Sequence, residues 1–141
     1  RVLSLVYVFL FSLIGWYRWD ARHEDALVWI VNVPECPQFL KNAWRKWAGH
    51  AIGQVVVLKY EPTSIQGKVT LRHEQEHVLQ SMKLGVFLPL FYAMAYVGIF
   101  LSCKNSDPYL SNPFEIDARR AAGQLVDIEG TVNRFLSAKK T

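Results

Sequence analysis

Five consecutive residues, His73-Glu74-Gln75-Glu76-His77, carry the strongest chemical signal in this chain. They read H-E-x-x-H and sit within 69–84, a stretch that reads as helical. On a helix, positions i and i+4 lie one turn apart on the same face, so two imidazoles at this spacing can converge on one metal ion. Glu74 lies about 100° round the helix from His73. From there a carboxylate reaches a water beside the ion without ligating it. Neutral ring nitrogens suit Zn²⁺, and a neighbouring carboxylate can take a proton from an activated water. The chemistry implied is metal-assisted hydrolysis. Two solvated histidines on a polar helix face would give the same spacing. Here Val78, Leu79 and Met82 supply an apolar side, while Gln80 continues the histidine face. That is the pattern of a site on a core helix.

A hydrolytic zinc site takes three protein ligands and keeps one position open. No histidine follows His77, so the third ligand is expected to be a downstream carboxylate: Asp107, Glu115, Asp117, Asp127 or Glu129. Glu115 is favoured. Asn112-Pro113-Phe114-Glu115 opens a helix with Asn as cap, Pro first and Glu third, which fixes the direction of the Glu115 side chain. Its competing role is helix capping, worth about 0.5–1 kcal/mol. Asp117 is the second choice and faces nearly the opposite way.

These residues must be positioned by the elements around them. The metal helix is expected over 64–84, opened by a capping box of Thr63 and Gln66, weakened by Gly67 and ended by Gly85. Two strands are expected, over 27–33 and 52–60, both rich in β-branched residues. Between them, 38–47 is an amphipathic helix with a core-facing aromatic stripe, and 48–50 is a turn with His50 in a structural role. Residues 20–25 read as a linker, in which His23-Glu24-Asp25 is a surface turn. The uncharged run 84–103 is long enough to cross a bilayer. The preferred reading is a helix over about 88–101 buried against the metal helix. A further helix runs from Pro113 past Ala122, breaks near Gly123 or Gly130, and precedes an amphipathic segment over 132–138.

At 141 residues the chain is one domain, residues 1–141, with a core of its own. It is 51% hydrophobic with a mean hydropathy of +0.08, which excludes intrinsic disorder. The net charge of +4 comes from scattered basic residues, which argues against a nucleic-acid partner. Cys36 and Cys103 form no C-x-x-C pair and read as ordinary buried thiols. Residues 1–19 open with an uncharged run from Val2 to Tyr17 and end in a Trp/Tyr/Arg cluster. This reads as a membrane anchor, the core of an export signal, or a buried helix. Membrane association or export therefore stands as an expectation for localisation.

The stretch from Arg72 to Gln80, followed by Tyr109-Leu110-Ser111-Asn112-Pro113-Phe114-Glu115-Ile116-Asp117-Ala118, resembles the gluzincin group of zinc metallopeptidases. It is most similar to the small, single-domain, minigluzincin-like members, which carry a strand, an H-E-x-x-H-x-x-Q helix, an apolar helix and an N-P-x-E-x-x-A segment. The resemblance covers roughly 52–122. It implies a zincin-like α+β fold: a small sheet packed on the H-E-x-x-H helix, followed by a helical C-terminal part. It implies Zn²⁺ held by His73, His77 and Glu115, with Glu74 as general base and Tyr109 as a stabiliser of the developing oxyanion. Gln80 would then support the histidines, and Asp117 would play a similar part. The implied activity is hydrolysis of peptide bonds in a peptide or protein substrate. The alternatives are a zinc-binding zincin-fold domain with a structural or interaction role, and a membrane-associated metallopeptidase.

Overall fold

A computed structural model describes residues 2–102 and 107–124. The helix α1 (Val2–Leu13) leads into a hairpin of β1 (Tyr17–His23) and β2 (Ala26–Val31). A short turn of 3-10 helix over Val33–Glu35 precedes α2 (Gln38–Lys46). A second hairpin follows, β3 (Gly49–Ile52) and β4 (Val55–Leu58), and then α3 (Ile65–Leu84), α4 (Leu88–Ser102) and α5 (Pro113–Ala121). The class is α+β, with one mixed four-stranded sheet in the order β1-β2-β4-β3. Parallel pairing of β2 with β4 joins the two hairpins and leaves β3 at an edge.

The sheet is organised by β4. Its residues Val55, Val56, Val57 and Leu58 are all buried, as befits a central strand covered on both faces. Side chains alternate along a strand, so the four divide between two cores. Val55 and Val57 pack with Val8 of α1, Trp44 of α2, Tyr17 and Val31. Val56 and Leu58 pack with Ala26, Val28, and Leu71 and Val78 of α3. The helix carrying the H-E-x-x-H pentapeptide thus lies on one face of the sheet, and α1 and α2 lie on the other.

Several expectations are corrected here. Residues 20–25 are not a linker: β1 continues to His23, and the surface turn expected at His23-Glu24-Asp25 is the tip of its hairpin. The strand expected over 52–60 is a hairpin, because Gly53, at φ +62°, turns the chain between β3 and β4. The presumed turn at 48–50 therefore contains the start of an edge strand. The aromatic stripe of α2 is only partly core-facing: Trp44 is buried, whereas Phe39 and Trp47 are exposed. The largest correction concerns α4. Its limits match the sequence pattern, but only Ile99 is buried, so it is not a core helix packed into the domain. Cys36 is a buried free thiol as expected, whereas Cys103 and the segment 132–138 lie outside the described residues.

The start of α3 also differs. Ser64, not Thr63, is the cap: its hydroxyl oxygen accepts from the Gly67 amide at 3.0 Å and donates to the Glu61 carbonyl at 2.7 Å. Gly67 does more than dilute helix propensity. A Cβ there would lie 1.8 Å from the Glu61 carbonyl oxygen, so this backbone approach requires glycine. Alanine at a helix interior normally gains about 1 kcal/mol over glycine. We expect Gly67→Ala to destabilise instead, by about 2–3 kcal/mol, because the loop before α3 must be pushed away. Thermal denaturation followed by circular dichroism tests this; an unchanged or higher melting temperature would refute the close-approach account.

Candidate metal centre

Helical spacing brings His73 and His77 together: their ring centroids are 4.9 Å apart. The third group arrives from α5. Asn112 caps that helix by accepting from the Phe114 amide at 3.1 Å, and Pro113 supplies its first residue. This holds Glu115 in the first turn, 3% exposed and aimed at the histidines. His73 Nε2 lies 3.3 Å from Glu115 Oε2, and His77 Nε2 lies 3.4 Å from Glu115 Oε1. One ligand atom from each of the three residues falls within 4.8 Å of the others. A tetrahedral ion with bonds of about 2.0–2.1 Å separates its ligand atoms by about 3.3–3.4 Å. The nitrogen–oxygen separations therefore suit a Zn²⁺-sized ion, and Glu115 Oε2 has no hydrogen-bond partner among the described residues.

The other ring nitrogens are also engaged. His77 Nδ1 is 2.9 Å from Gln80 Oε1, and His73 Nδ1 is 3.1 Å from Gln124 Oε1. In each pair the ring N–H donates to the amide oxygen, which leaves Nε2 facing Glu115, able to donate to the carboxylate when the ring is charged and to offer its lone pair to a metal when it is neutral. Gln80 is itself tied to α5, because its Nε2 donates to the Phe114 carbonyl at 3.0 Å. From α4, the Tyr92 hydroxyl donates to Glu115 Oε1 at 2.8 Å, and Asn112 Nδ2 donates back to the Tyr92 carbonyl at 3.3 Å.

The electrostatics follow from burial and these partners. Burial works against ionising Glu115, but the facing His73 and His77 rings, at 3.3 and 3.4 Å, outweigh it and hold its carboxyl far below the usual carboxylate range. Burial likewise works against charging His77, and its contacts with Glu115 and Gln80 overcome that and raise its pKa. Glu74 behaves differently. It is 6% exposed, and burial pushes its pKa up to about 7 against the opposing pull of His77 and His73. It sits between α3 and the sheet edge, where a Cβ on Gly49 would come within 3.2 Å of its Cγ.

Glu74, His73, His77 and Glu115 line one cleft of about 320 Å³, together with Tyr92 and Tyr109. The opposite wall is the edge strand β3, through Gly49, His50 and Ala51. His50 turns its ring to the other face of the sheet, where Tyr7 bonds it at 3.1 Å, and burial lowers its pKa to about 4. Tyr109 is half-exposed at the rim; burial of its hydroxyl and the nearby Glu115 carboxylate both raise its pKa.

The fold therefore brings together His73, Glu74, His77, Gln80, Tyr109 and Glu115. It does not bring in Asp117, which is exposed and lies 3.9 Å from Arg120 on its own helix. Sequence reasoning missed Tyr92 and Gln124. A tyrosine in an uncharged helix carries a hydroxyl that needs a partner, which was a usable signal for Tyr92. Gln124 follows the end of α5 and had none.

Two measurements check this assembly. In zinc titrations against a competing chelator, Glu115→Ala should abolish tight binding while Asp117→Ala leaves it unchanged. Gln80→Ala and Gln124→Ala should each weaken binding by about 10–100-fold. Equal effects of Glu115→Ala and Asp117→Ala would make the ligand set wrong. In metal-free protein, the raised pKa of Glu74 means that the folded state keeps this proton after the unfolded state has lost it. Stability should fall as pH rises from about 4.5 to about 7, by up to about 3 kcal/mol. Glu74→Gln should remove that slope in pH-dependent thermal melts; an identical slope in the variant would contradict it. Comparison with protein-family models, with curated proteins and with solved structures finds no match to this chain, so the candidate centre stands on the geometry of its own residues.

Proposed function

We propose that this protein is a zinc-dependent metallopeptidase that hydrolyses peptide bonds in a peptide or protein substrate. The observation that carries this reading is the pairing of two roles in one cleft. His73, His77 and Glu115 form a ligand set, and Glu74 is a buried carboxyl with a pKa of about 7 beside them. A carboxylate poised near neutral pH is suited to accept and return a proton.

Zinc, when bound, would acidify a water and polarise the carbonyl under attack. Every other task falls to side chains of this chain. Glu74 accepts the proton of the attacking water and passes it to the leaving amine. Gln80 and Gln124 hold the histidine rings in one tautomer, and Tyr92 holds the Glu115 carboxylate in place. Tyr109 at the rim keeps its proton at neutral pH and donates a hydrogen bond to the oxyanion that develops. The outer edge of β3 borders the cleft and offers backbone groups to an extended peptide, which would bind there as an added strand. Membrane association belongs to the same reading, since α1 is apolar and exposes most of its side chains.

The decisive test is Glu74→Gln assayed for both metal content and peptide cleavage. Zinc should be retained at one ion per chain while the hydrolysis rate falls by about a hundredfold to ten-thousandfold. Tyr109→Phe should lower kcat with little change in zinc content. Cleavage by Glu74→Gln at the wild-type rate would refute the proposal.

A further inference from the structure

The helix α4 has two opposed faces. One faces the domain: Tyr92 reaches Glu115 and stacks on Phe114, and Ile99 is buried. The other carries Leu90, Met94, Val97 and Leu101, all exposed, Leu101 at 71%. Val86 and Phe87, exposed in the 3-10 turn over Gly85–Phe87 just before the helix, stand at its head. The spacing of the four within the helix keeps them on one stripe, about 17 Å long at about 1.5 Å per residue. The helix α1 repeats the arrangement. Ser4 and Val8 are buried, while Val2, Leu3, Val6, Phe9, Leu10 and Leu13 are exposed. The β3–β4 turn lies between the inner face of α1 and the start of α4. Ser4 Oγ lies 3.7 Å from the position of a Cβ on Gly53, and Ile52, Gly53 and Gln54 share a cavity with Met82, Val86 and Pro89.

An apolar surface this extensive needs a partner. We infer that it docks on a lipid bilayer, with α4 and α1 lying along the membrane surface and their outer stripes in the acyl region. Two features favour lipid over another protein. No Asp or Glu occurs in residues 2–19 or 84–102, so neither apolar stripe carries an acidic group that anionic headgroups would repel. Lys83 stands at the head of the α4 stripe in a chain of net charge +4, which complements anionic headgroups. The helix lies on the bilayer rather than crossing it, because its inner face is bonded to α5 along the metal centre.

The docking surface meets the cleft. Ala51, Gly53, Ser81, Leu88 and Pro89 line both the candidate active site and the neighbouring cavity at the start of α4, where exposed Val86 heads the stripe. Resting on the peptidase reading, this makes the substrate a polypeptide segment presented at a bilayer surface.

Cosedimentation of the full chain with phosphatidylcholine vesicles, with and without phosphatidylglycerol, tests the docking. Wild type should pellet with vesicles, more strongly when they are anionic. Leu90→Asp/Met94→Asp should bind at least about tenfold more weakly with an unchanged circular dichroism spectrum. Absence of wild-type binding, or equal binding by the double variant, overturns the proposal. So does a vesicle-indifferent dimer that the double variant dissociates, which would make the occupant a second copy. Glu74→Gln should bind vesicles like wild type, which separates docking from catalysis. Cleavage of a vesicle-tethered peptide should exceed that of the same peptide free in solution, and the double variant should lose only this excess. If no peptide is cut in either form, the peptidase reading fails while the docking result stands; if both forms are cut equally, the assignment of a membrane-presented substrate fails.

Discussion

A buried carboxylate must be paired, and in this fold the pairing of Glu115 holds three helices together. An unpartnered charge at that depth would cost several kcal/mol. Glu115 meets two imidazoles from α3 and one tyrosine hydroxyl from α4. Its own helix is tied back through Gln80, which joins His77 to the Phe114 carbonyl. The same contacts that neutralise the carboxylate define where an ion would sit. Stability of the helical half and formation of the candidate metal centre are thus one constraint.

The sheet sets the remaining wall. A covered central strand forces β3 to the edge, and small residues let the metal helix approach it. Gly49 lies where any side chain would strike Thr70 and Glu74, and Gly67 lies where a Cβ would strike the preceding loop. Close approach has a chemical consequence: it removes water from Glu74 without supplying it a cation of its own. Its pKa rises for that reason, while that of Glu115, equally buried but bonded, falls. Two carboxyls one helix apart are driven in opposite directions by their partners, which suits one to ligate and the other to carry protons.

Around this polar centre much of the described surface of α1 and α4 is apolar. The buried core is divided between the two faces of the sheet, and neither part includes the outer faces of α1 and α4. High hydrophobic content in this chain therefore measures surface as much as core. That is why the expectation of a buried α4 failed: an uncharged helix looks the same in sequence whether its faces are packed in the core or lie on the surface.

The sequence by itself determined whatever depends on short-range periodicity and local capping. The convergence of His73 with His77, the place of Glu74 beside them, the limits of α3 and α4, and the Asn-Pro start of α5 all follow from helix geometry over a few residues. The choice of Glu115 over Asp117 was legible too, because the helix start fixes the direction of each. Only tertiary structure decided that Tyr92 and Gln124 join the site, that β1 forms, and that residues 49–58 fold into a hairpin whose β3 is the edge strand among the described residues. Those outcomes rest on contacts between segments tens of residues apart, such as Gln124 with His73, for which local pattern carries no signal. A single glycine or amide becomes decisive only once the chain has brought its partner to it.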